Sequence, residues 1–300
     1  MEPMERKLPP EAIEIYNEFI HGEISRRAFI ERVQGLAGSL AAATIIDALM
    51  PNYALGQQVS RNDDRIKATY ETVPSPKGNG SIKGYFVRPI SADTRSETVT
   101  KLPGILVIHE NRGLNPHIED IARRVGLANF LAIAPDGLTT VGGYPGDETA
   151  ATQKFNSVDR NKMTEDMVAA AGYAKTNAES TGKVGVVGFC YGGGIANTLA
   201  VRIPDLNAAV AYYGQQPTAA ADIAKIKAPL LLHYGETDTG ITGRWPAYDA
   251  ALTEAKVVHT GYVYMGAAHG FNNDTGARYD ATAAKLSWQR TMDFFEKYLR

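Results

Sequence analysis

Hydrophobic and polar positions follow a regular pattern from residue 67 onwards, and their spacing predicts strands that alternate with helices. Residues 67–73 and 82–87 are rich in alternating and β-branched side chains and flank a Pro-Lys-Gly-Asn-Gly turn, which predicts an antiparallel hairpin. Continuous apolar runs without alternation are typical of strands buried on both faces of a sheet. Such short strands are predicted at residues 104–108, 131–134, 184–188, 208–212, 230–234 and 262–264.

The segments between these strands place apolar side chains at helical spacing. Residues 116–127 carry four of them on one face, which predicts an amphipathic helix. Strands alternating with helices form a mostly parallel sheet covered on both faces, with ligands at the carboxyl ends of the strands. We therefore predict one α/β domain over residues 61–300. Further helices are predicted at residues 163–174, 192–201, 245–254 and 281–298, and loops at residues 142–147 and 215–224.

Residues 1–60 lie outside this pattern, and we expect them to form a leader or a helical extension. The sequence S-R-R-A-F-I at residues 25–30 precedes a mildly apolar run at residues 35–50 and an Ala-Leu-Gly triplet at residues 54–56. This order is typical of a twin-arginine export signal. Asp47 interrupts the apolar run, which makes it a poor membrane span. Two interpretations stay open: a signal for export to the periplasm, and an amphipathic extension packed on the body of a cytoplasmic protein.

Composition narrows the classes of partner. The formal net charge is −2 and 21 % of residues are charged, which is ordinary for a soluble globular protein. The absence of a basic run argues against nucleic-acid binding. No two histidines have metal-ligand spacing such as H-E-x-x-H, and His233 inside a strand is expected to be a core residue. We expect a small-molecule partner, no metal and no cofactor, and the oligomeric state is left open.

The single cysteine, Cys190, lies in the sequence G-F-C-Y-G-G, between a predicted strand and a predicted helix. This is the G-x-S-x-G nucleophile turn with cysteine in place of serine. The helix N-terminus favours a thiolate, and the backbone N–H of Tyr191 is placed to hold an oxyanion. A dinucleotide-binding G-x-G-x-x-G loop is excluded because Cys190 occupies its second glycine position. A free cysteine is more often an inert core residue, which stays as the alternative.

Acidic and basic residues follow Cys190 in the chain order that this turn requires, nucleophile, acid, base. Asp238 follows one predicted strand, and His269 follows the next in the sequence H-G-F. In such an arrangement Asp238 fixes the tautomer of His269, and His269 relays the proton of the nucleophile. Glu236 is the rival acid. A helix-capping Asp238 together with a packing His269 is the alternative without chemistry.

A second motif, H-E-N-R-G at residues 109–113, also follows a buried strand. The loop after this strand commonly supplies a second oxyanion N–H, and Asn111 is the expected donor. Glu110 is expected beside the thiol, where a carboxylate holds its proton and keeps Cys190 quiet until substrate arrives. The alternative is a surface carboxylate paired with Arg112. Candidates for the substrate pocket, with ordinary packing as their alternative, are Arg112, Tyr144, Trp245 and Phe271.

Taken together, the H-E-x-x-G loop at Glu110, the G-F-C-Y-G-G turn, the late Asp238 and the H-G-F at His269 resemble the dienelactone hydrolases, or carboxymethylenebutenolidases. The resemblance runs from about residue 67 to residue 300. It implies an α/β-hydrolase fold and hydrolysis of an enol-lactone or small ester by a Cys-His-Asp triad without a cofactor. By this resemblance Cys190 attacks the carbonyl, His269 handles the proton, Asp238 supports it and Glu110 tunes the thiol.

The chain departs from the family pattern in one respect. Members that take dienelactone hold its carboxylate with arginines, one of them shortly after the catalytic histidine, whereas residues 270–274 contain none. Arg112 and Arg160 are the candidate substitutes, and the reaction class therefore carries over better than the substrate. Two other functions stay open: a thiol-based redox protein, although a resolving cysteine is missing, and a non-catalytic binding module on the same fold.

Overall fold

An eight-stranded sheet forms the centre of the molecule in a computed structural model that describes residues 8–20, 23–90 and 101–300. The strands are β1 (Ile66–Ser75), β2 (Gly80–Pro89), β3 (Leu102–Ile108), β4 (Leu131–Pro135), β5 (Ser180–Phe189), β6 (Ala208–Tyr212), β7 (Leu230–Gly235) and β8 (His259–Tyr264). Their order across the sheet is β1-β2-β4-β3-β5-β6-β7-β8. The first two form the predicted antiparallel hairpin, β2 pairs antiparallel with β4, and all other neighbours are parallel.

Helices cover both faces of this sheet, which confirms the predicted α/β-hydrolase fold. The helices are α1 (Pro10–Ile20), α2 (Arg26–Leu49), α3 (Tyr53–Gly56), α4 (Pro116–Leu127), α5 (Glu148–Ser157), α6 (Arg160–Thr176), α7 (Tyr191–Arg202), α8 (Ala220–Ile223), α9 (Thr239–Thr242), α10 (Trp245–Glu254) and α11 (Ala281–Leu299). One buried apolar cluster joins α6, α7 and α10 to the sheet, and a second joins α4 and α11 to its other face. Strands between two such layers need apolar residues on both sides, which explains their unbroken apolar runs.

Helices α5, α8 and α9 differ from the sequence prediction. The prediction of a loop over residues 215–224 was wrong at Ala220–Ile223, which is the short helix α8. Helix α5 was not predicted, because only Ala151 and Phe155 of its ten residues are buried and two apolar positions do not establish a period. Its boundary is instead marked by Asp147, whose side chain caps the helix by accepting from the N–H of Ala150 at 2.7 Å.

Helices α1 and α2 pack on each other around an apolar cluster of their own, separate from the two clusters of the sheet. Its buried members are Ala12, Ile15, Tyr16, Phe19, Phe29, Val33, Ala42 and Leu49. Helix α2 is kinked at Gly38, where φ is 74°. The two arginines of the export-like motif, Arg26 and Arg27, are exposed at the start of this helix. No helix within the described residues is long and apolar enough to cross a membrane. A domain boundary near residue 60 stays a prediction.

The segment that leads from α3 into the sheet is fastened to the body by buried hydrogen bonds. The N–H groups of Gln58 and Val59 donate to the carboxylate of Asp120 at 3.1 and 2.9 Å, and Arg123 donates to the Val59 carbonyl at 2.9 Å. Further upstream, the N–H of Asn52 donates to the carbonyl of Thr275 at 2.6 Å. The extension is therefore held both by helix α4 and by the loop that follows β8.

Candidate active site

Cys190 occupies the sharp turn between β5 and α7. Its φ of 55° and ψ of −113° lie in a region that non-glycine residues rarely adopt, so the surrounding structure must hold the strain. The N–H of Cys190 donates to the Tyr212 carbonyl at 3.1 Å, and the Cys190 carbonyl accepts from Gly194 at 3.2 Å. The side chain is half-buried, as a nucleophile at a strand-to-helix turn requires.

Glycines around this turn allow the backbone to pass at distances that a side chain would block. A Cβ on Gly188 would lie 1.9 Å from the carbonyl oxygen of Gly192. On Gly193 it would lie 2.5 Å from the oxygen of Tyr212, and on Gly214 it would lie 2.2 Å from the carbonyl carbon of Gly193. The first two glycines belong to the predicted motif. Gly214 was not predicted because it follows another strand, β6, and meets the turn only through the fold.

His269 and Asp238 are joined by a hydrogen bond of 2.7 Å between Nδ1 and a carboxylate oxygen. Both side chains are largely shielded from solvent, with 7 % and 11 % exposed. The rival acid, Glu236, is exposed and instead accepts from the N–H of Gly266 at 2.8 Å. The structure therefore brings Asp238, and not Glu236, to His269.

The charge state of His269 is coupled to Cys190. Burial by itself lowers the pKa of His269, but the negative charge of Cys190 and hydrogen bonds to Asp238 and Cys190 raise it to about 10. An imidazole with such a pKa is protonated at neutral pH. The arrangement favours a thiolate–imidazolium pair, and the N-terminus of α7 stabilises the same thiolate.

Glu110 lies inside the site rather than on the surface. It is 6 % exposed and accepts a hydrogen bond from the side chain of Asn273 at 2.9 Å. Burial raises the pKa of Tyr213 well above its ordinary value, and the charges of Glu110 and then Cys190 raise it further. The charges of Glu110 and of the thiol therefore act on the same buried hydroxyl. Tyr213, which has a strained φ of 38°, was not identified from the sequence because it lies beyond the end of its strand in a turn without a motif.

Arg112 does not pair with Glu110, as the alternative interpretation held. Its buried guanidinium forms an ion pair with Glu148 and donates to the side-chain oxygen of Asn111 at 3.2 Å. Glu148 also accepts from the hydroxyl of Tyr144 at 3.0 Å. Arg112, Tyr144 and Glu148 thus form one polar cluster beside Glu110.

A narrow cleft with a cavity volume of about 20 Å³ lies over this cluster. Its lining on the body of the protein includes Glu110, Arg112, Asn115, Glu148, Asn273 and Arg278. Arg278 was not identified from the sequence because it comes nine residues after His269, beyond residues 270–274. A Cβ on Gly270 would lie 3.0 Å from its guanidinium, so the fold returns this arginine to the neighbour of His269.

Two predicted pocket residues lie elsewhere. Phe271 is fully buried and packs in the core against Tyr213 and Tyr264, because its side chain turns beneath the loop that carries His269. Trp245 heads helix α10 and packs on Tyr234, with its ring against the β8 glycine Gly261. Neither is part of the lining of the cleft, and the predicted pocket residue Tyr144 reaches the cleft only through its hydrogen bond to Glu148.

The remaining candidates have other contacts. The guanidinium of Arg160 stacks over the ring of Phe155 at 3.3 Å, away from the cleft lining. The hydroxyl of Tyr191 contacts the sulfur of Met163 at 3.0 Å, while its backbone begins α7 directly after Cys190. Oxyanion binding by the N–H groups of Tyr191 and Asn111 stays a prediction. Among the described residues, no group of histidine, cysteine and carboxylate side chains has the arrangement of a metal site.

Comparison with known proteins places this chain in a family. A family model for the dienelactone hydrolase family matches residues 88–299, and a model described as YqhI-like matches residues 2–37. The chain is 33 % identical over 259 residues to the "Putative carboxymethylenebutenolidase" of Escherichia coli K12, covering 80 % of this chain and 90 % of the relative. It is also 48 % identical over 120 residues to the "Putative hydrolase fragment YghX" of the same organism, which covers 40 % of this chain and 97 % of that one.

Solved structures agree with this placement. The "Putative Dienelactone Hydrolase" of Klebsiella pneumoniae superposes with a TM-score of 0.68 at 29 % identity, over 78 % of this chain and 99 % of that one. The dienelactone hydrolase of Anabaena variabilis shares the fold, with a TM-score of 0.61 at 20 % identity over 79 % of this chain and 100 % of that one. The protein is a hydrolase, and the chain belongs to the dienelactone hydrolase family.

Proposed function

We propose that the protein is a cysteine-dependent hydrolase of small carboxylic esters or lactones, with Cys190 as nucleophile, His269 as proton carrier and Asp238 as the residue that orients it. The observation that carries this proposal is the 2.7 Å hydrogen bond from His269 Nδ1 to Asp238, and the negative charge of Cys190, which raises the pKa of His269, supports it. The relatives named carboxymethylenebutenolidases favour an enol-lactone or a similar ester as the substrate class.

The reaction follows from the charges of the site. The Cys190 thiolate attacks the carbonyl carbon, and the backbone N–H groups of Tyr191 and Asn111 stabilise the oxyanion that forms. Imidazolium His269 donates its proton to the departing oxygen as the C–O bond breaks, which leaves an acyl-thioester on Cys190. Neutral His269 then takes a proton from water as the hydroxide attacks the thioester, and the acid and the thiolate are released.

We propose that the charge of Glu110 opposes the effect of His269 on Cys190 and moderates the reactivity of the thiolate in the free enzyme. Its carboxylate accepts a hydrogen bond from Asn273. The charges of Glu110 and Cys190 both act on the buried hydroxyl of Tyr213. A carboxylate there disfavours an isolated thiolate by like-charge repulsion. A substrate that enters the cleft screens or displaces Glu110 and leaves the thiolate paired with His269, so reactivity rises when substrate is bound.

Turnover of a panel of p-nitrophenyl esters and lactones tests the proposal. We expect Cys190→Ala and Asp238→Asn to lower kcat/KM by about 10³-fold or more, because members of a triad act as a unit. A matched control exists in His259 and Asp249, a second histidine–aspartate pair joined at 3.0 Å outside the cleft. Asp249→Asn should leave turnover within about twofold of the unmodified protein.

Two results would overturn the proposal. Undiminished ester turnover in Cys190→Ala would remove the nucleophile assignment. Absence of turnover across the panel, together with trapping of a Cys190 sulfenate by dimedone after peroxide treatment, would favour the thiol-redox function instead.

A further inference from the structure

The N-terminal extension contributes side chains to the cleft. It is lined by Tyr16 of α1, by Pro51 between α2 and α3, and by Tyr53 of α3, together with Glu110 and Arg112 of the body. Tyr16 is only 3 % exposed although its helix lies outside the two clusters that cover the sheet. The extension therefore supplies one wall of the space that leads to the candidate active site.

Tyr16 lines the cleft together with four charged side chains that act on its hydroxyl. Burial raises the pKa of Tyr16, Glu148 and Glu110 raise it further, and the cations Arg112 and Arg278 lower it. All four charged groups line the cleft. The hydroxyl therefore lies within the field of the groups that surround Glu110.

The ring of Tyr16 has a second environment on the side of the extension. It lies 6.0 Å from the ring of Phe29 and 6.4 Å from that of Phe19, in the apolar cluster shared by α1 and α2. Tyrosine suits such a boundary because its ring is apolar and its hydroxyl is polar.

The extension is attached through residues of the cleft itself. Arg278 donates to the side-chain oxygen of Asn17 at 2.9 Å. The hydroxyl of Tyr53 donates to Glu148 and accepts from the side chain of Asn115 at 3.2 Å. Because the ion pair of Glu148 holds Arg112, the same polar cluster anchors the extension and shapes the floor of the cleft.

The cleft adjoins the candidate catalytic residues. Glu110 lines it, and Glu110 and Cys190 both act on the hydroxyl of Tyr213. Gly270, another lining residue, is the immediate neighbour of His269. A molecule that reaches the thiol through this cleft therefore passes Tyr16 and Glu110.

We propose that the extension, residues 8–20 and 23–56, is a cap that selects molecules by size, and that Tyr16 is the residue that sets the limit. Selection of an ester or lactone rests on the proposed function, whereas control of access to Cys190 does not. Removing the Tyr16 side chain widens the cleft between the extension and Arg112, so larger molecules reach the thiol while small ones gain little.

Alkylation of Cys190 tests the cap without any turnover, because the chain contains a single cysteine. The full chain is treated with iodoacetamide as a small reagent and with fluorescein-5-maleimide as a bulky one, and both second-order rates are measured. We expect Tyr16→Ala to raise the ratio of bulky to small rates by about tenfold, corresponding to about 1.4 kcal/mol of barrier. Tyr16→Leu, which keeps more of the apolar packing, should raise it by a smaller factor.

Two controls separate the cleft from the general stability of the extension. Tyr16→Phe keeps the ring and should leave the ratio unchanged. Phe19→Ala opens the apolar cluster at a residue that does not line the cleft and should also leave it unchanged. The cap proposal is wrong if the ratio of bulky to small alkylation rates is unchanged in Tyr16→Ala and Tyr16→Leu. It is also wrong if this ratio rises as much in Phe19→Ala as in Tyr16→Ala.

Ester turnover provides the link to catalysis. For p-nitrophenyl octanoate relative to p-nitrophenyl acetate, Tyr16→Ala should raise the ratio of kcat/KM by about tenfold, and mostly through KM. If the unmodified chain hydrolyses neither ester, the hydrolase proposal is wrong. The alkylation ratios still test the cap proposal in that case. If ester turnover is normal and the ratio of bulky to small alkylation rates is the same in every variant, only the cap proposal is wrong.

Discussion

The strained backbone of Cys190 depends on close contacts that only glycine permits. We predict that Gly214→Ala lowers the free energy of unfolding by about 3 kcal/mol or more, because its Cβ would lie 2.2 Å from the carbonyl carbon of Gly193. Ester turnover should fall with it as the turn shifts. Urea denaturation followed by circular dichroism measures the change.

The control for this substitution is Gly172 in α6, which is exposed and has open space where a Cβ would stand. Gly172→Ala should raise the free energy of unfolding by about 0.5–1 kcal/mol, because alanine is the better helix former. Equal effects of the two substitutions would show that the close approach at Gly214 carries no strain.

The raised pKa of His269 gives a prediction about pH. Cys190→Ala should lower this pKa from about 10, because the largest contribution that raises it is the charge of Cys190. A pKa above the unfolded value of 6.5 means that the stabilisation is fully present below pH 6.5 and is lost as pH rises through about 10. The free energy of unfolding should therefore fall over this range in the unmodified protein and less steeply in Cys190→Ala.

Two measurements check this prediction. NMR titration of the His269 ring protons gives the pKa directly, and urea denaturation at several pH values gives the slope of stability. The variant His269→Gln, which does not titrate, provides the baseline for both. A pKa of His269 that is the same with and without the thiol would contradict the thiolate–imidazolium pair.

The candidate site residues differ in how well a local sequence pattern identifies them. Cys190, Asp238 and His269 follow strands in a fixed chain order, so local pattern was sufficient to select them and the structure brings them together. Tyr213 and Arg278 lie in turns without periodicity, and only long-range packing returns them to the site. The same packing turned Phe271 and Trp245 away from the cleft, which no local pattern indicated.

At the scale of elements, helix α4 holds the segment that joins the extension to the sheet. Asp120 is 1 % exposed and accepts from two backbone N–H groups of that segment and from Arg123 and Arg124. We predict that Asp120→Asn lowers the free energy of unfolding by about 3–5 kcal/mol, because it leaves the buried Arg123 without its nearest carboxylate. Urea denaturation measures the loss, and limited proteolysis should show earlier cleavage near Val59.

An exposed ion pair provides the comparison. Asp222 contacts Lys225 at 2.7 Å with both side chains about half exposed. Asp222→Asn should change the free energy of unfolding by no more than about 0.5 kcal/mol, since water screens such pairs. A loss at Asp120 as small as the loss at Asp222 would contradict an anchoring role for α4.

Elements with a clear hydrophobic pattern were predicted well, and elements without such a pattern were not. The boundaries of α4, α10 and β6 agree with the sequence prediction, because their apolar positions repeat or run without interruption. Helices α5 and α8 carry too few apolar residues to show a period. Helix α2 combines a kink at Gly38 with apolar residues on several sides, so its sequence resembled an export signal as much as a packed helix.

At the scale of the whole molecule, the extension and the body are stabilised separately. The buried cluster of α1 and α2 is distinct from the clusters that hold the sheet, and Ala277 is the partly buried residue of the body that packs against it. The anchors at Gln58 and Val59 lie after the Ala-Leu-Gly triplet that ends at Gly56. A cut after Gly56 would therefore remove the cap and leave the body with its fastening to α4 intact.

We propose export through the twin-arginine motif, whose Arg26 and Arg27 are exposed in the folded chain and accessible to a transport machinery. We predict a periplasmic form that begins at Gln57 and a cytoplasmic form that begins at Met1, distinguished by cell fractionation and N-terminal sequencing. Lacking Tyr16 and Tyr53, the shorter form should react with the bulky maleimide at least about tenfold faster relative to iodoacetamide. Replacing both arginines by lysine should retain the chain in the cytoplasm with its cap. An intact Met1 start in every fraction would contradict processing, and the cap would then belong to the working enzyme.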